Sequence, residues 1–173
     1  MSPGISLLPN CLVRWMLQRH MPEVLGIENA SFEFPWTEAE FVACVRQRNC
    51  VGLVAEVDDK VVGYMIYEMA KSKIRLLNLA VSPEWRRRGV GRYLVQKLIN
   101  KLSLQKRNRI TLEVRETNLP AQLFFRSLGF RATSVLRNFY QDTPEDAYLM
   151  QYRYVPGQAE QVFPINRITR LAG

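Results

Sequence analysis

Apolar and polar residues alternate from Cys11 to Gln18, with Cys11, Val13, Trp15 and Leu17 on one side, which predicts a first strand with one face fully buried. Pro22 opens a short helix reaching about residue 30. Pro35 forbids helix in the aromatic segment Phe32-Glu33-Phe34-Pro35-Trp36, and Thr37 with Glu40 forms a capping box that predicts a second helix over 38–47. Residues 50–57 and 61–69 are β-branched and aromatic runs joined by Asp58-Asp59-Lys60, a hairpin signal, and Lys71-Ser72-Lys73 leads into a third strand over 74–81. From Val90 the period changes: Val90, Leu94, Leu98 and Leu102 recur every four residues, with Val95 and Ile99 widening the stripe of a core-facing helix. Residues 109–115 read as a strand, and Ala121, Phe124, Phe125 and Leu128 mark one face of a helix that Gly129 ends. Residues 130–137 and 147–154 read as two more strands.

This order predicts a single α/β domain of mixed α+β character, with a central mixed, mostly antiparallel sheet of about seven strands and helices on both faces. A helical crossover makes strands 74–81 and 109–115 parallel and right-handed. Residues 1–10 carry two prolines and a glycine and read as a loose leader, 11–155 as the domain, and 156–173 as an irregular tail.

Composition narrows the class. A chain of 173 residues, 47% hydrophobic and 23% charged, fills one core and is short for two. The net charge of +8 asks for an acidic partner, either a polyanionic cofactor or a nucleic acid or ribonucleoprotein surface. Cys11, Cys44 and Cys50 lack metal-ligand spacing, and their odd number argues against a disulfide framework, so a reduced, cytoplasmic protein is expected. His20 is the sole histidine, which argues against a histidine triad or a multi-histidine metal site; no metal is expected. No apolar run is long enough to cross a bilayer, and the leader lacks the pattern of a signal peptide.

The chemistry concentrates in Leu79-Ala80-Val81-Ser82-Pro83-Glu84-Trp85-Arg86-Arg87-Arg88-Gly89-Val90-Gly91-Arg92. A strand runs into a basic turn that opens a helix at about Gly89, whose first N–H groups are unpaired and carry the positive end of the dipole. Glycines at 89 and 91 bring no side chains between a diphosphate and those donors, and Arg86, Arg87, Arg88 and Arg92 add charge. By themselves these features suit an anion cradle or a solvated basic turn equally. The patterns of a P-loop and of a dinucleotide-binding turn are absent.

The spacing Arg86-x-x-Gly89-x-Gly91 resembles the pyrophosphate-binding motif of the GNAT family of N-acetyltransferases. Phe34-Pro35-Trp36-Thr37, Leu112-Glu113-Val114-Arg115-x-x-Asn118, Ser127-Leu128-Gly129-Phe130 and Arg137-Asn138-Phe139-Tyr140 are similar to the bacterial ribosomal-protein-alanine branch, the RimI type. The resemblance covers about residues 11–154. It implies the GNAT fold, acetyl-CoA as donor, and transfer to an amine, most readily the α-amino group of a protein N-terminus such as that of a ribosomal protein. A small amine or a lysine side chain is the alternative acceptor, and a non-catalytic acyl-CoA-binding or ribosome-associated protein the alternative role.

Roles follow position by position. The diphosphate falls to residues 86–92, Val90 included, and the pantetheine arm and the oxyanion of the transfer step to the backbone of Leu79, Ala80 and Val81. Glu113 is the implied general base. On 109–115, Thr111, Glu113 and Arg115 share one face, which turns Glu113 from the core toward a cleft; a solvated glutamate paired with Arg115 is the plain alternative. Asn118 is an implied cofactor contact and equally a helix cap. The tyrosine that such enzymes use as acid is replaced at the cofactor-side position Phe125, so Tyr140 is the substitute donor, and it also lines the acceptor cleft opposite Phe34 and Trp36.

Overall fold

The computed structural model describes residues 10–156; the expected leader and tail, Asn10 and Pro156 apart, lie outside the described residues. Seven strands, β1 (Leu12–Trp15), β2 (Cys50–Val57), β3 (Lys60–Met69), β4 (Ile74–Val81), β5 (Arg109–Arg115), β6 (Arg131–Leu136) and β7 (Ala147–Arg153), form one sheet in the order β1-β2-β3-β4-β5-β7-β6. Every neighbouring pair is antiparallel except β4 and β5. The helices are α1 (Met21–Ser31), α2 (Glu38–Val45), α3 (Val90–Ile99) and α4 (Leu119–Ser127).

Local chemistry sets the boundaries. Asp58 and Asp59 take φ of 49° and 61°, so the β2–β3 hairpin closes on two left-handed residues and β3 begins at Lys60. The capping box holds: the Glu40 amide donates to Thr37 Oγ1 at 3.3 Å and the Thr37 amide to Glu40 Oε2 at 2.7 Å. Gly129, at φ 94°, ends α4, where the Phe130 amide reaches back to the Phe125 carbonyl at 3.0 Å.

Neighbouring residues of β3 enter two different cores, with one slip where Val62 has no opposite number on β2, and this is how both faces come to be covered. Val62, Met65 and Tyr67 join Leu94, Leu98 and Phe125 of α3 and α4; Val61, Tyr64 and Ile66 join Val24 and Phe41 of α1 and α2. A bulge interrupts this alternation in β4. Tyr67 pairs with Leu76 and Ile66 with Asn78, so Leu77 has no opposite number and the side chains beyond it change face.

The first strand departs from expectation. β1 is four residues long, and Trp15 is 65% exposed. It is an edge strand, paired only with β2: Cys11 and Val13 are half-buried against the core, while Trp15 and Leu17 run past its margin and stay exposed.

Candidate active site

The parallel ladder between β4 and β5 has two rungs, Ile74 with Ile110 and Arg75 with Thr111. Beyond them the strands part. Leu76–Val81 on one side and Leu112–Arg115 on the other line a cleft of about 1610 Å³. Along this stretch β4 keeps β3 as a partner and turns its other backbone edge to the cleft.

At the end of β4 a 3-10 turn, Pro83–Trp85, leads into the basic segment. Arg87 and Gly89 have φ of 60° and 92°, and Gly89 is the N-cap of α3 with no side chain capping the helix. The first N–H groups of α3 are therefore left for another acceptor. A Cβ at Gly89 meets nothing within 4 Å, so glycine stands there for its backbone angle. Gly91 lines the cleft, and a Cβ there would come 3.2 Å from Phe124 Cζ, so the missing side chain also serves the packing of α3 on α4.

Three arginines of this segment are tied to the protein. Arg86 donates to the Val81 carbonyl at 3.1 Å and to Ser31 Oγ at 3.0 Å. Arg92 reaches Ser127 Oγ at 3.3 Å, and Arg88 lies 4.9 Å from the centre of the Trp85 ring.

Glu113 stands on β5 two residues past the last rung, on the face of Thr111 and Arg115, and its side chain is 16% exposed. Its partner is Arg75, not Arg115: Nε and Nη2 of Arg75 lie 3.2 and 3.0 Å from Oε1, which leaves Oε2 outside the pair. Arg115 instead gathers the β6–β7 connection. Its Nη1 donates to Glu145 at 2.8 Å and Thr143 at 2.9 Å, and its Nη2 to both Asp142 oxygens at 2.8 and 3.0 Å. The same guanidinium lies over Tyr140 and 5.2 Å from the Phe34 ring. Burial pushes the Tyr140 hydroxyl up to about 12, against the opposing pull of Arg115.

Asn118 caps α4, accepting from the Ala121 amide at 3.2 Å, and lines the cleft as well. Phe125 packs in the core with ring centroids 5.0 Å from Phe124 and 5.3 Å from Phe130, and it also reaches the cleft wall. Every residue expected to bind donor or acceptor, from Phe34 and Trp36 through 79–81 and 86–92 to Glu113, Asn118, Phe125 and Tyr140, lines this one cleft.

Sequence reasoning passed over Glu28. It is 1% exposed, accepts from the Trp36 amide at 2.8 Å on Oε1, and accepts from Asn78 Nδ2 at 3.0 Å and from the Tyr64 hydroxyl on Oε2. Burial and this carboxylate together push the Tyr64 hydroxyl well above the usual tyrosine range. A signal was present: Glu28 falls four residues after Val24 on the buried stripe of α1, where an ionisable side chain is out of place.

Residues 21–130 match the acetyltransferase (GNAT) family. The ribosomal protein bS18-alanine N-acetyltransferase of Salmonella typhimurium is 33% identical over 132 residues, 75% of this chain and 88% of that protein. Two solved structures share the fold. The ribosomal-protein-S18-alanine N-acetyltransferase from Escherichia coli has a TM-score of 0.74 at 28% identity, covering 88% of this chain and 99% of that one. Ard1 from Thermoplasma volcanium has a TM-score of 0.76 at 27% identity, covering 84% and 98%. With strands parting beside a helix that opens on a glycine, and a family match across that whole region, the chain belongs to the GNAT family of acetyl-CoA-dependent N-acetyltransferases.

Proposed function

We propose that this chain transfers acetyl to the α-amino group of a protein N-terminus, with an alanine-initiated ribosomal protein as the acceptor its relatives favour. One observation carries the reading: Glu113 lies where β4 and β5 part, in the same cleft as the α3 N-terminus and the aromatic wall of Phe34, Trp36 and Tyr140.

The residues present fit acetyl-CoA. The α3 N-terminus and its arginines suit a diphosphate, and the unpaired edge of β4 suits an amide-bearing arm. When bound, the coenzyme supplies the acetyl carbon as a thioester. The chain does the rest. Glu113 accepts the proton that an α-ammonium must lose before its nitrogen attacks. Amides of Leu79, Ala80 and Val81 not used by β3 donate to the carbonyl oxygen as charge builds there. Tyr140 donates a hydrogen bond toward the departing sulfur; with its proton held to about pH 12 it shares that proton and does not release it. Thiolates near the ordinary cysteine range leave without full protonation.

No helix among the described residues is long and apolar enough to cross a membrane. With three free cysteines, the reading places the enzyme in the reducing cytoplasm, where ribosomal proteins are made.

The test is thiol release from acetyl-CoA with an alanine-initiated ribosomal peptide, a lysine-bearing peptide blocked at its N-terminus, and small amines. Turnover is expected with the first, reduced roughly 10² to 10⁴-fold in Glu113→Gln while acetyl-CoA binding persists. Turnover with small amines alone, or binding of acetyl-CoA without turnover across the panel, overturns the reading.

A further inference from the structure

Glu28 occupies a position that stability alone would avoid. Its carboxylate is buried in the last turn of α1, at the negative end of that helix, and its three partners are neutral donors. What the arrangement achieves is a junction. Oε1 holds the Trp36 amide in the acceptor wall; Oε2 holds Asn78, the residue just past the β4 bulge and just before Leu79. Tyr64 on β3 fixes the same oxygen from below.

We propose that Glu28 is a positioning residue that sets the spacing between the acceptor wall at Trp36 and the donor strand at Leu79 to Val81, by accepting from both sides at once. This deepens the proposed N-terminal acetyltransferase activity and rests on it. Glu28 reaches the cleft wall but is only 1% exposed, and each of its oxygens already holds a donor of the protein, so its role is assigned to those donors and not to the incoming ammonium. Its effect passes through Trp36 and Asn78. A shift of about 1 Å in a positioning group is enough to cost on the order of 10²-fold in rate.

The experiment compares Glu28→Met and Glu28→Gln in the full chain. Methionine keeps the volume and removes both acceptor oxygens, leaving only a weakly accepting thioether. Glutamine keeps the oxygen that holds Trp36, and its amide finds Asn78 once the asparagine side chain turns over. Three quantities are read: peptide KM and kcat, the acetyl-CoA Kd, and hydrogen exchange at the Trp36 amide. Glu28→Met is expected to raise peptide KM about 10-fold, leave the acetyl-CoA Kd within about 2-fold, and speed Trp36 exchange about 100-fold, while Glu28→Gln stays near the parent.

Unchanged Trp36 exchange in Glu28→Met overturns the proposal. So does an equal loosening of peptide and acetyl-CoA, which marks a general loss of structure, or a Glu28→Gln as impaired as Glu28→Met, which marks a charge acting directly. If Glu28→Met does not fold, Glu28→Asp, with its oxygens drawn back by one methylene, is read for the same split between peptide and acetyl-CoA. If the parent acetylates no peptide, the functional reading fails, and Trp36 exchange still decides the role of Glu28.

Discussion

The Arg115 guanidinium carbon lies 3.8 Å from the centre of the Tyr140 ring. Through this stack, and its bonds to Asp142 and Glu145, one side chain at the end of β5 holds the connection between β6 and β7 against the cleft. The same guanidinium lies 5.2 Å from the Phe34 ring, so Arg115 joins the two aromatic walls expected to grip the acceptor.

Arg115→Ala removes the stack and leaves two carboxylates without their partner. A loss of about 1–2 kcal/mol in positioning is expected, read as a rise of roughly 5- to 30-fold in peptide KM with acetyl-CoA affinity unchanged. Steady-state kinetics with peptide varied at saturating acetyl-CoA checks this, and an unaltered KM rules it out.

Tyr140→Phe isolates the hydroxyl. If that group assists the leaving sulfur, kcat falls roughly 10²-fold with peptide KM little changed. Its folded pKa of about 12 lies above the ordinary 10, so its contribution to stability is intact below pH 10 and is lost as pH rises toward 12. Ultraviolet titration should show one phenolate fewer near pH 12 in the variant, and identical activity and titration in the two proteins would remove Tyr140 from the mechanism.

The two glycines of the α3 turn should fail differently. Gly89→Ala forces a side chain into the left-handed region, at a cost of about 1–2 kcal/mol that no neighbour can relieve. Gly91→Ala brings a Cβ to 3.2 Å from Phe124 Cζ, so whatever it loses comes from the few tenths of an ångström by which that ring must give, and Phe124→Leu should restore it. Thermal melts and acetyl-CoA titrations of the singles and the double distinguish the cases; rescue of Gly89→Ala by Phe124→Leu would contradict this account.

Acid should loosen the β6–β7 connection before the core. Hydrogen bonds, first from Thr117 and then from Arg115, hold Glu145 below its ordinary 4.5, and the Asn138 amide holds Asp146 below its ordinary 3.8. Because the folded values are depressed, the stabilisation is present above those ordinary values and lost as pH falls through the folded ones. Amide chemical shifts for residues 137–146, followed from pH 6 downward, should move ahead of those in β2 and β3. Simultaneous movement would mean that the connection is held by other forces.

What could be read along the chain was what depends on near neighbours. The Thr37–Glu40 box, the Asp58-Asp59 hairpin, the Gly129 stop and the helix opening at Gly89 each involve residues within a few positions of one another. The cleft residues were legible because that strand, turn and helix are consecutive. The exposure of β1 was not, since a strand's place at the edge depends on what lies beyond it in space. The Arg75–Glu113 pair and the bonds of Glu28 to Tyr64 and Asn78 bring together residues 36 to 50 positions apart, where periodicity carries no information. The cleft position of Gly91 was legible, but its packing role was not, because Phe124 reaches it from another helix.

The sheet order also bears on biosynthesis. β7, the last strand among the described residues, sits between β5 and β6, so β6 has no edge to join until Arg153 has left the ribosomal tunnel. The loop carrying Tyr140 connects β6 to β7. A nascent chain therefore holds the Tyr140 wall of the cleft unfinished until β7 has emerged and paired.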